Sequence, residues 1–447
     1  MDLLNKKVLI LGFSLTAKKS IDFLLNKGAK VFVSEYGIEP ADEKEEIETF
    51  KNLGVKFEFN GHTDEFIKES DICLISPSIK DTAPVLSKIN CPIKSDLEFV
   101  GDNLNYQDKM ILITGTNGKT TTTMLTSFVL SEKYIAPYVG NVGVPPLFEL
   151  NKNNPDFLVV EASSYQLHYS KNLFPKIAIL CNITPDHVAW HNGMDGYIKD
   201  KTDILKRMDK DSFVVLNYDD SYTKTFVDEI KANVFYFSLN KIDYENVCYL
   251  DDGVIYYKDE KIIELDEINL AGNHNYQNVM CAIISAKLIG MDNKTIKEAI
   301  KKFKAPAHRL EFISTIDNVS YYNDSKATNP EASNVAITAF PNQKVNLIAG
   351  GRDKNTSLDE FVSLIKKNIE KVVLIGEATE RFKVALLNIG FNNIVEEKTL
   401  EGAIDEASKE KPDVVLFSPA CASFDMFDNF EVRGECFRNY VLQKRTS

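Results

Sequence analysis

The sequence predicts an α/β protein built from three domains. At 447 residues the chain is too long for one ordinary hydrophobic core. Segments typical of buried strands alternate with helical segments, and in two places a strand runs through a glycine turn into a helix. We expect a Rossmann-like domain at residues 1–97, a central P-loop-type domain with a mixed sheet at residues 98–305, and a Rossmann-like α/β domain at residues 306–447.

The composition excludes several classes of protein. A net charge of -13 argues against a general binder of nucleic acid or membrane surfaces, because either would need a basic face. No apolar run approaches the roughly 18 to 20 residues that span a bilayer, and the N-terminus enters strand-like sequence at once. Seven single cysteines without a C-x-x-C pair predict reduced thiols. We therefore expect a cytoplasmic protein that binds neither nucleic acid nor membrane.

The first segment, KKVLILGFSLTAKKSIDFLLNKGAKVFVSE, predicts a strand, a glycine turn, an amphipathic helix and a second strand. The dinucleotide fingerprint G-x-G-x-x-G is incomplete, because Ser14 stands at the position of its central glycine. A dinucleotide site and a turn without a ligand therefore both stay open. Further turns fall at Glu35 and, after the strand DICLISP, at Ser76. These three turns should lie together at the carboxyl ends of parallel strands.

The stretch Lys109–Met124, KMILITGTNGKTTTTM, predicts a buried strand, a phosphate loop and the start of a helix. Gly115 and Gly118 let backbone N–H groups close around an anion, Lys119 adds a full positive charge, and the Thr120 hydroxyl can ligate Mg²⁺. The glycines are closer together than in the full P-loop pattern, and the alternative is a glycine turn with a surface lysine. We expect the loop to hold the phosphates of a nucleotide, as in ATPases.

The central region continues with polar residues after apolar strands. Glu161 ends the strand in DFLVVEASSYQL and is well placed to hold Mg²⁺, although surface acids at strand ends are also frequent. The preceding stretch, YVGNVGVPPLFEL, is rich in Gly and Pro and predicts a loop. A helix is predicted over Met194–Met208, and by composition its lysines Lys199, Lys201 and Lys206 are solvated.

In the last part of the chain, four strands end in polar, glycine or basic residues, which predicts a binding cleft along one edge of a sheet. The chain has only seven arginines among its basic residues. Arginine is favoured where phosphate or carboxylate is recognised by two hydrogen bonds, so each one is a modest pointer to a site. Arg309, Arg352 and Arg433 all fall inside motif-like segments.

Taken together, the motifs resemble those of the Mur ligases, the ATP-dependent ligases that build the peptide of bacterial peptidoglycan. The resemblance covers nearly the whole chain in the expected order. The segment NDSKATNP resembles the corresponding motif of the members that add D-glutamate. The DNPR-type motif expected of members that add a diamino acid is absent. The motifs that carry the resemblance are GTNGKTTT, GNVG, VVEASSYQL, NITPDH, LAGNHN, HRLE, NDSKATNP, AGGRDK and SPACASFDMF.

The resemblance implies an ATP-dependent amide-bond ligase of peptidoglycan precursor synthesis. Its substrates would be UDP-N-acetylmuramoyl-L-alanine and D-glutamate, joined through an acyl phosphate with release of ADP and phosphate. It also implies two Mg²⁺ ions, a first domain that binds the uridine nucleotide, and a monomer. Members of the family close the third domain over ATP, so the boundary at Ala305 to Ala307 is a predicted hinge.

The resemblance assigns a catalytic set as well. Lys119 would contact the β and γ phosphates, Thr120 and Glu161 would help to hold Mg²⁺, and His187 would be a ligand of a second metal ion. Lys201 aligns with the lysine that is carbamylated in the family, which turns a cation into a carboxylate-like metal ligand.

The remaining assignments concern ATP and the two other substrates. Ser78 replaces the glycine that many members have in the first domain, and its side chain could narrow the uracil site. The ATP contacts implied are Gly115, Thr116, Asn117, Gly118, Lys119, Thr120, Thr121, Asn275, Arg309 and Asp324. The contacts implied for the nucleotide sugar and D-glutamate are Ser14, Leu15, Thr16, Glu35, Ser76, Asn141, Lys326, Thr328, Lys354, Ser418 and, through its backbone N–H, Phe427.

Three other functions compete with this hypothesis. A folate polyglutamate synthetase shares the ligase core but begins close to the phosphate loop, whereas here a βαβ domain precedes that loop. A nucleotide-binding regulatory protein would have lost catalytic residues, and Lys119, Glu161, His187 and Lys201 are all present. The third alternative, an NAD-dependent oxidoreductase, is supported only by the first βαβ unit.

Overall fold

Three β-sheets flanked by helices confirm the predicted α/β class. The computed structural model describes residues 3–41, 43–188, 190–270, 272–304, 307–353 and 357–445. Lys354 and the hinge residues Ala305 and Pro306 lie outside the described residues. The chain divides into two compact units, the first formed by Met1–Leu265 with Gln277–Ile300 and the second by Asp266–Tyr276 with Lys301–Ser447. The boundaries of the three domains stay a prediction.

The first sheet contains five parallel strands. Its strands and helices are β1 (Lys7–Leu11), α1 (Leu15–Asn26), β2 (Lys30–Ser34), α2 (Lys44–Asn52), β3 (Lys56–Glu58), α3 (Asp64–Ile67), β4 (Ile72–Ile75), β5 (Ile93–Lys94) and α4 (Asp96–Glu98). The strand order is β3-β2-β1-β4-β5. The order brings the turns after β1, β2 and β4 to one edge, as the sequence predicts for a Rossmann-like sheet.

The second sheet is mixed and has nine strands. Its first part consists of β6 (Met110–Thr114), α5 (Lys119–Leu130), β7 (Tyr138–Gly140), α6 (Pro146–Lys152), β8 (Leu158–Glu161), α7 (Ser164–His168), β9 (Ile177–Leu180), α8 (Met194–Arg207) and β10 (Phe213–Asn217). Its second part consists of β11 (Asn233–Ser238), β12 (Val247–Asp251), β13 (Val254–Tyr257), β14 (Glu260–Glu264), α9 (Asn273–Leu288) and α10 (Asn293–Lys302). The strand order is β14-β13-β12-β11-β10-β9-β6-β8-β7, and β13 is antiparallel to both of its neighbours.

The strand β6 lies inside this sheet, and every one of its residues is buried. A strand that is covered on both faces has a continuous apolar run rather than an alternating pattern, which explains the sequence MILIT. The loop predicted for YVGNVGVPPLFEL is wrong, because the segment contributes β7 and α6. Proline suits the first turn of a helix, where its missing N–H costs nothing, so Pro146 begins α6 and Leu147 is buried beneath it.

The third sheet lies in the second unit. Its elements are β15 (Glu311–Ile316), β16 (Val319–Asn323), α11 (Pro330–Ile337), β17 (Val345–Gly350), α12 (Asp359–Asn368), β18 (Lys371–Ile375), α13 (Thr379–Asn388), β19 (Ile394–Glu396), α14 (Leu400–Ser408), β20 (Val414–Phe417) and α15 (Phe430–Lys444). The strand order is β15-β16-β20-β17-β18-β19, and only β15 pairs in the antiparallel sense. The loops after β16, β17 and β20 therefore leave the sheet at the same edge.

Within the described ranges, no helix is long and apolar enough to cross a membrane. All seven cysteines are free thiols.

The burial of β6 predicts its contribution to stability. Leu112 is fully buried, so Leu112→Ala should lower the free energy of unfolding by about 2–5 kcal/mol, the range for a leucine that leaves a cavity. Ile135→Ala, at a residue that is 59% exposed, should have a much smaller effect. Urea unfolding followed by the fluorescence of Trp190, the single tryptophan, measures both variants. Equal losses would contradict a central role of β6.

Candidate active site

The phosphate loop between β6 and α5 requires glycine at both of its ends. Gly115 has φ 147° and Gly118 has φ 82°, backbone conformations that other residues rarely adopt. A Cβ atom on Gly115 would also lie 2.9 Å from the Cβ of Cys181. The loop can therefore turn tightly over the end of β9 only with glycine at this position.

Hydrogen bonds hold this loop against the segment that follows β9. The backbone N–H of Thr116 donates to the carbonyl of Asn182 at 2.9 Å, and the N–H of Asn117 donates to Asn182 Oδ1 at 2.8 Å. The Thr184 N–H donates to Thr116 Oγ1 at 2.9 Å, and the hydroxyl of Tyr197 lies 2.9 Å from the same oxygen. The loop is thus fixed before any ligand binds.

Two lysines converge on one carbonyl oxygen of the loop. Lys119 Nζ donates to Gly115 O at 2.9 Å, and Lys201 Nζ donates to the same oxygen at 2.8 Å. Burial lowers the pKa of Lys201 well below its ordinary value, and the charge of Lys119 lowers it further. The solvated position predicted for Lys201 is wrong, because the residue is only 1% exposed, whereas Lys199 on the same helix is exposed.

Glu161 and Asn141 lie in contact at the next strand. Asn141 Nδ2 donates to Glu161 Oε1 at 2.7 Å, and the Asn141 backbone N–H donates to the Glu161 carbonyl at 2.9 Å. The second carboxylate oxygen, Oε2, is buried and has no hydrogen-bond partner among the described residues. A buried oxygen of this kind is suited to a cation, since a carboxylate left unpaired away from water is costly.

His187 lies in the segment after β9, and its Nε2 lies 3.3 Å from Asp186 Oδ2. Burial lowers the pKa of His187, the charge of Asp186 opposes the shift, and the charges of Lys119 and Lys201 add to it. The neutral imidazole that results is the form that ligates metals. Among the described residues, no three side chains of the types His, Cys, Asp and Glu converge as a ready metal site. A Mg²⁺ site here would also need the Thr120 hydroxyl and a carbamate on Lys201.

Three residues that the sequence does not single out position helix α8. His191 Nδ1 lies 2.6 Å from Asp200 Oδ2, and His191 Nε2 lies 2.9 Å from the Ser164 hydroxyl. Burial alone would raise the pKa of Asp200, but hydrogen bonds from His168 and His191 outweigh it, and the pKa is lowered. Asp200 directly precedes Lys201, so this network fixes the turn of helix that carries the buried amine. Because its members are distant in sequence, only their contacts could identify them.

A cavity of about 460 Å³ opens at the edge of the first sheet. Ser14, Glu35 and Ser76 line it, which confirms that the three predicted turns lie together. Both carboxylate oxygens of Glu35 accept backbone N–H groups, from Phe13 at 2.7 Å and from Gly37 at 2.9 Å.

Ser78 lines the same cavity, and its Oγ lies 3.1 Å from the Oγ of Ser76. Thr16 lines a smaller neighbouring pocket together with Ser14, and Leu15 is 66% exposed. The sequence does not identify three further lining residues, Tyr36, His62 and Lys88. Tyr36 follows Glu35 directly, which is the only local signal for any of them.

In the second unit, the predicted residues Asp324 and Ser418 are bonded to each other. Ser418 Oγ donates to Asp324 Oδ2 at 2.7 Å, and the Leu310 N–H donates to Asp324 Oδ1 at 3.1 Å. Burial raises the pKa of Asp324 to about 7, although these hydrogen bonds and the charges of Arg309 and Arg433 act in the opposite direction. Both side chains are buried at the ends of neighbouring strands, β16 and β20.

Four other residues predicted to bind ATP or D-glutamate also lie in the second unit. Lys326 and Thr328 are half-buried in the loop after β16, and Lys326 Nζ lies 5.3 Å from the centre of the Phe430 ring. The backbone N–H of Phe427, predicted to serve a substrate, donates to Ser423 O at 2.9 Å within a turn. Asn275 is buried near the start of α9.

Most of the chain matches the domains of known protein families. Residues 7–85 match the MurD N-terminal domain, residues 113–286 match the Mur ligase middle domain, and residues 308–421 match the domain described as Mur ligase, glutamate ligase domain.

Full-length relatives carry one name. The chain is 36% identical over 462 residues to the UDP-N-acetylmuramoylalanine--D-glutamate ligase of Caldicellulosiruptor bescii, with all of both chains covered. It is 37% identical over 455 residues to the enzyme of that name from Caldanaerobacter subterraneus, again with all of both chains covered. The Clostridioides difficile protein of that name is 36% identical over 458 residues, with 99% of each chain covered.

Solved structures show the same fold at lower identity. MurF from Acinetobacter baumannii superposes with a TM-score of 0.63 at 17% identity, covering 96% of this chain and 93% of that one. UDP-N-acetylmuramate-alanine ligase from Thermotoga maritima superposes with a TM-score of 0.59 at 18% identity, covering 98% and 99%. MurF from Thermotoga maritima in complex with ADP gives 0.59 at 15% identity, covering 99% and 96%.

The raised pKa of Asp324 predicts a pH-dependent cost in stability. A free aspartate releases its proton near pH 3.9, whereas folded Asp324 keeps its proton up to about pH 7. Between these values the folded state binds more protons than the unfolded state, so stability falls as pH rises. The free energy of unfolding of the wild type relative to Asp324→Asn should therefore decrease from pH 4 to pH 7. Urea unfolding followed by circular dichroism measures it, and a constant difference would contradict a protonated Asp324.

Proposed function

Because this chain belongs to the Mur ligase family, with full-length relatives named UDP-N-acetylmuramoylalanine--D-glutamate ligase, we propose that it joins D-glutamate to UDP-N-acetylmuramoyl-L-alanine in an ATP-dependent reaction. The observation that carries the proposal is the convergence of Lys119 and Lys201 on the carbonyl of Gly115 in a loop between a strand and a helix. Such a loop suits the phosphates of ATP, and the reaction needs cations wherever negative charge develops.

The chemistry has two steps. The carboxylate of the alanyl group attacks the γ-phosphorus of ATP, so a carbon–oxygen–phosphorus link forms and ADP leaves. The amine of D-glutamate then attacks the acyl phosphate carbonyl, the amide bond forms, phosphate leaves and the amine loses a proton. Both steps bring anions together, so positioning and fixed positive charge are the main contributions that the protein can make. Lys119 and the N–H groups of the loop would supply this charge.

The buried amine of Lys201 is suited to carbamylation. Only a neutral amine has the free electron pair that attacks carbon dioxide, and burial next to Lys119 favours the neutral form of Lys201. With a carbamate on Lys201, the unpartnered Oε2 of Glu161 and neutral His187 would complete the oxygen and nitrogen ligands of two Mg²⁺ ions. Bound Mg²⁺ would neutralise the charge of the phosphates during transfer.

The cavity of the first sheet is the proposed site of the uridine nucleotide. Ser14, Glu35 and Ser76 line it at the carboxyl ends of parallel strands, the usual position of nucleotides in such sheets. Asn141 is proposed to contact the sugar side of this substrate, since its bond to Glu161 holds it next to the proposed metal site.

The second unit is proposed to bind D-glutamate. Ser418, Thr328, Lys326 and Lys354 would contact the amino acid. The Phe427 N–H would join them on releasing the carbonyl of Ser423. Asn275, Arg309 and Asp324 are proposed to contact ATP. The loops after β16 and β20 support this division, because Asp324 and Ser418 are joined by a hydrogen bond and the two loops leave the sheet together.

A folate polyglutamate synthetase fits less well. A folylpolyglutamate synthase from Mycobacterium tuberculosis has the same core fold, with a TM-score of 0.56 at 15% identity over 76% of this chain. The match of residues 7–85 to the MurD N-terminal domain favours the peptidoglycan reaction.

The amino-acid preference tests the proposed function. With ATP, Mg²⁺ and UDP-N-acetylmuramoyl-L-alanine present, phosphate release should require D-glutamate, and L-glutamate or L-lysine should not replace it. Lys119→Ala should lower this turnover by about 10²- to 10³-fold, the usual cost of removing one group that stabilises transition-state charge. Coupled phosphate detection measures both results. No turnover with D-glutamate in the wild type would refute the function.

The carbamate on Lys201 has a separate test. Lys201→Ala should lose activity that high bicarbonate cannot restore, whereas added short carboxylic acids should restore part of it by occupying the vacated metal-ligand position. Lys199→Ala is the matched control, because it removes an exposed lysine from the same helix and should leave turnover unchanged. Steady-state rates of phosphate release decide the matter, and full activity of Lys201→Ala would contradict the carbamate.

A further inference from the structure

Arg433, on helix α15 of the second unit, has no part in the function described above. It is 1% exposed and is the largest fully buried side chain in the described part of the chain. Arginine is among the residues least often buried completely, and a buried cation must be compensated by neighbouring groups. Its position therefore calls for a physical explanation.

The guanidinium of Arg433 bonds two loops at once. Its Nε donates to Ser325 Oγ at 3.0 Å and its Nη2 donates to Ser325 O at 2.7 Å. Nη2 also donates to Cys421 O at 3.0 Å, and Nη1 donates to Ala422 O at 3.1 Å. Ser325 lies in the loop after β16, and Cys421 and Ala422 lie in the loop after β20.

A third loop meets the same group. The Arg352 backbone N–H donates to Ala422 O at 2.9 Å, the carbonyl that Arg433 also contacts. Gly351 has φ 134°, and a Cβ atom there would lie 3.1 Å from Arg433 Nη1. The loop after β17 therefore packs closely against the guanidinium. One side chain thus contacts all three loops that leave this edge of the sheet.

The acceptors of these hydrogen bonds are neutral, and the charges of Asp425 and Asp324 compensate the cation without a direct ion pair. Among the described residues, no carboxylate lies within 4.0 Å of its guanidinium nitrogens. Burial lowers the pKa of Arg433 to about 10, and the residue stays protonated at neutral pH. An apolar side chain would avoid this cost of burial. What arginine adds is a rigid planar fork that can bond several carbonyls at fixed angles.

We propose that Arg433 is the positioning residue of the amino-acid pocket, holding the Ser325 loop and the Cys421–Ala422 loop in the register at which both contact D-glutamate. This inference rests on the D-glutamate pocket proposed above. Asp324 and Lys326 flank Ser325, and Ser418 and Phe427 flank the Cys421–Ala422 segment on either side. Arg433 acts through these loops and does not itself touch the substrate.

The test is a comparison of Michaelis constants in the full-length enzyme. Arg433→Lys keeps the positive charge. The lysine side chain has a single donor nitrogen, however, and this nitrogen cannot bond both loops with the geometry of the guanidinium. We expect the KM for D-glutamate to rise by about tenfold, the effect of losing one or two hydrogen bonds. The KM for UDP-N-acetylmuramoyl-L-alanine should stay nearly unchanged. The KM for ATP should rise by a smaller factor than that for D-glutamate, because Asp324, proposed to contact ATP, adjoins Ser325 but the Cys421–Ala422 loop carries no proposed ATP contact. A merely structural role would instead lower the melting temperature without a selective effect on one substrate.

Two further variants test the same contacts if Arg433→Lys folds poorly. Ser325→Ala removes one acceptor of the guanidinium and leaves Arg433 in place, so it should raise the KM for D-glutamate in the same direction by a smaller factor. Combined with Arg433→Lys it should be less than additive, because both changes break the same contact. Arg438→Lys is the matched control on the same helix, since Arg438 pairs with Glu311 and not with the three loops. It should leave the KM for D-glutamate unchanged.

Equal changes in all three KM values would overturn the positioning role. So would an unchanged KM for D-glutamate in both Arg433→Lys and Ser325→Ala. Failure of the underlying pocket has a different signature. In that case Ser418→Ala and Thr328→Ala would leave the KM for D-glutamate unchanged, although the wild type turns over with this amino acid.

Discussion

The proposed chemistry depends on an electrostatic constraint at the phosphate loop. Two lysine nitrogens lie within 2.9 Å of one carbonyl oxygen, and one of them belongs to a residue that is almost completely buried. Two ammonium groups that donate to the same oxygen repel each other strongly in a medium of low dielectric constant. The repulsion is relieved if Lys201 is neutral, and it is reversed if a carbamate makes that side chain an anion. Lys119 would then be the remaining cation of the pair.

The surrounding structure maintains this arrangement. The loop is bonded to the segment after β9 through Asn182 and Thr184, and α8 is fixed by the network of His191, Asp200 and Ser164. On the other side of the loop, β8 delivers Glu161 with one carboxylate oxygen engaged by Asn141. Groups held by such bonds need little rearrangement when charge develops, and preorganisation of this kind is usually a large part of electrostatic catalysis. The second unit uses a similar device, in which buried Arg433 joins the loop after β16 to the loop after β20 through side-chain hydrogen bonds.

Sequence patterns predicted most of the fold because buried parallel strands have continuous apolar runs and their carboxyl ends carry polar turns. The strand over Met110–Ile113 and the helix over Met194–Met208 both formed within one or two residues of the prediction. The loop predicted for YVGNVGVPPLFEL failed because glycine and proline were taken as breakers, whereas Pro146 begins a helix and Gly140 ends a strand beside β8. The position of a proline relative to the apolar residues around it decides between these outcomes.

By itself the sequence determined the α/β class, the phosphate loop and the residues at the strand ends, since each depends on local backbone chemistry. Composition and spacing could not distinguish Lys201 from Lys199 on the same helix, and only the resemblance to the Mur ligases singled out Lys201. Only the tertiary structure buries the first and exposes the second, because burial depends on which face of α8 is directed toward Thr114 and Gly115. The same reason applies to Arg433, whose bonds reach residues 11, 12 and 108 positions away in the chain. Contacts between distant residues are made by the fold and leave no periodic signal in the sequence.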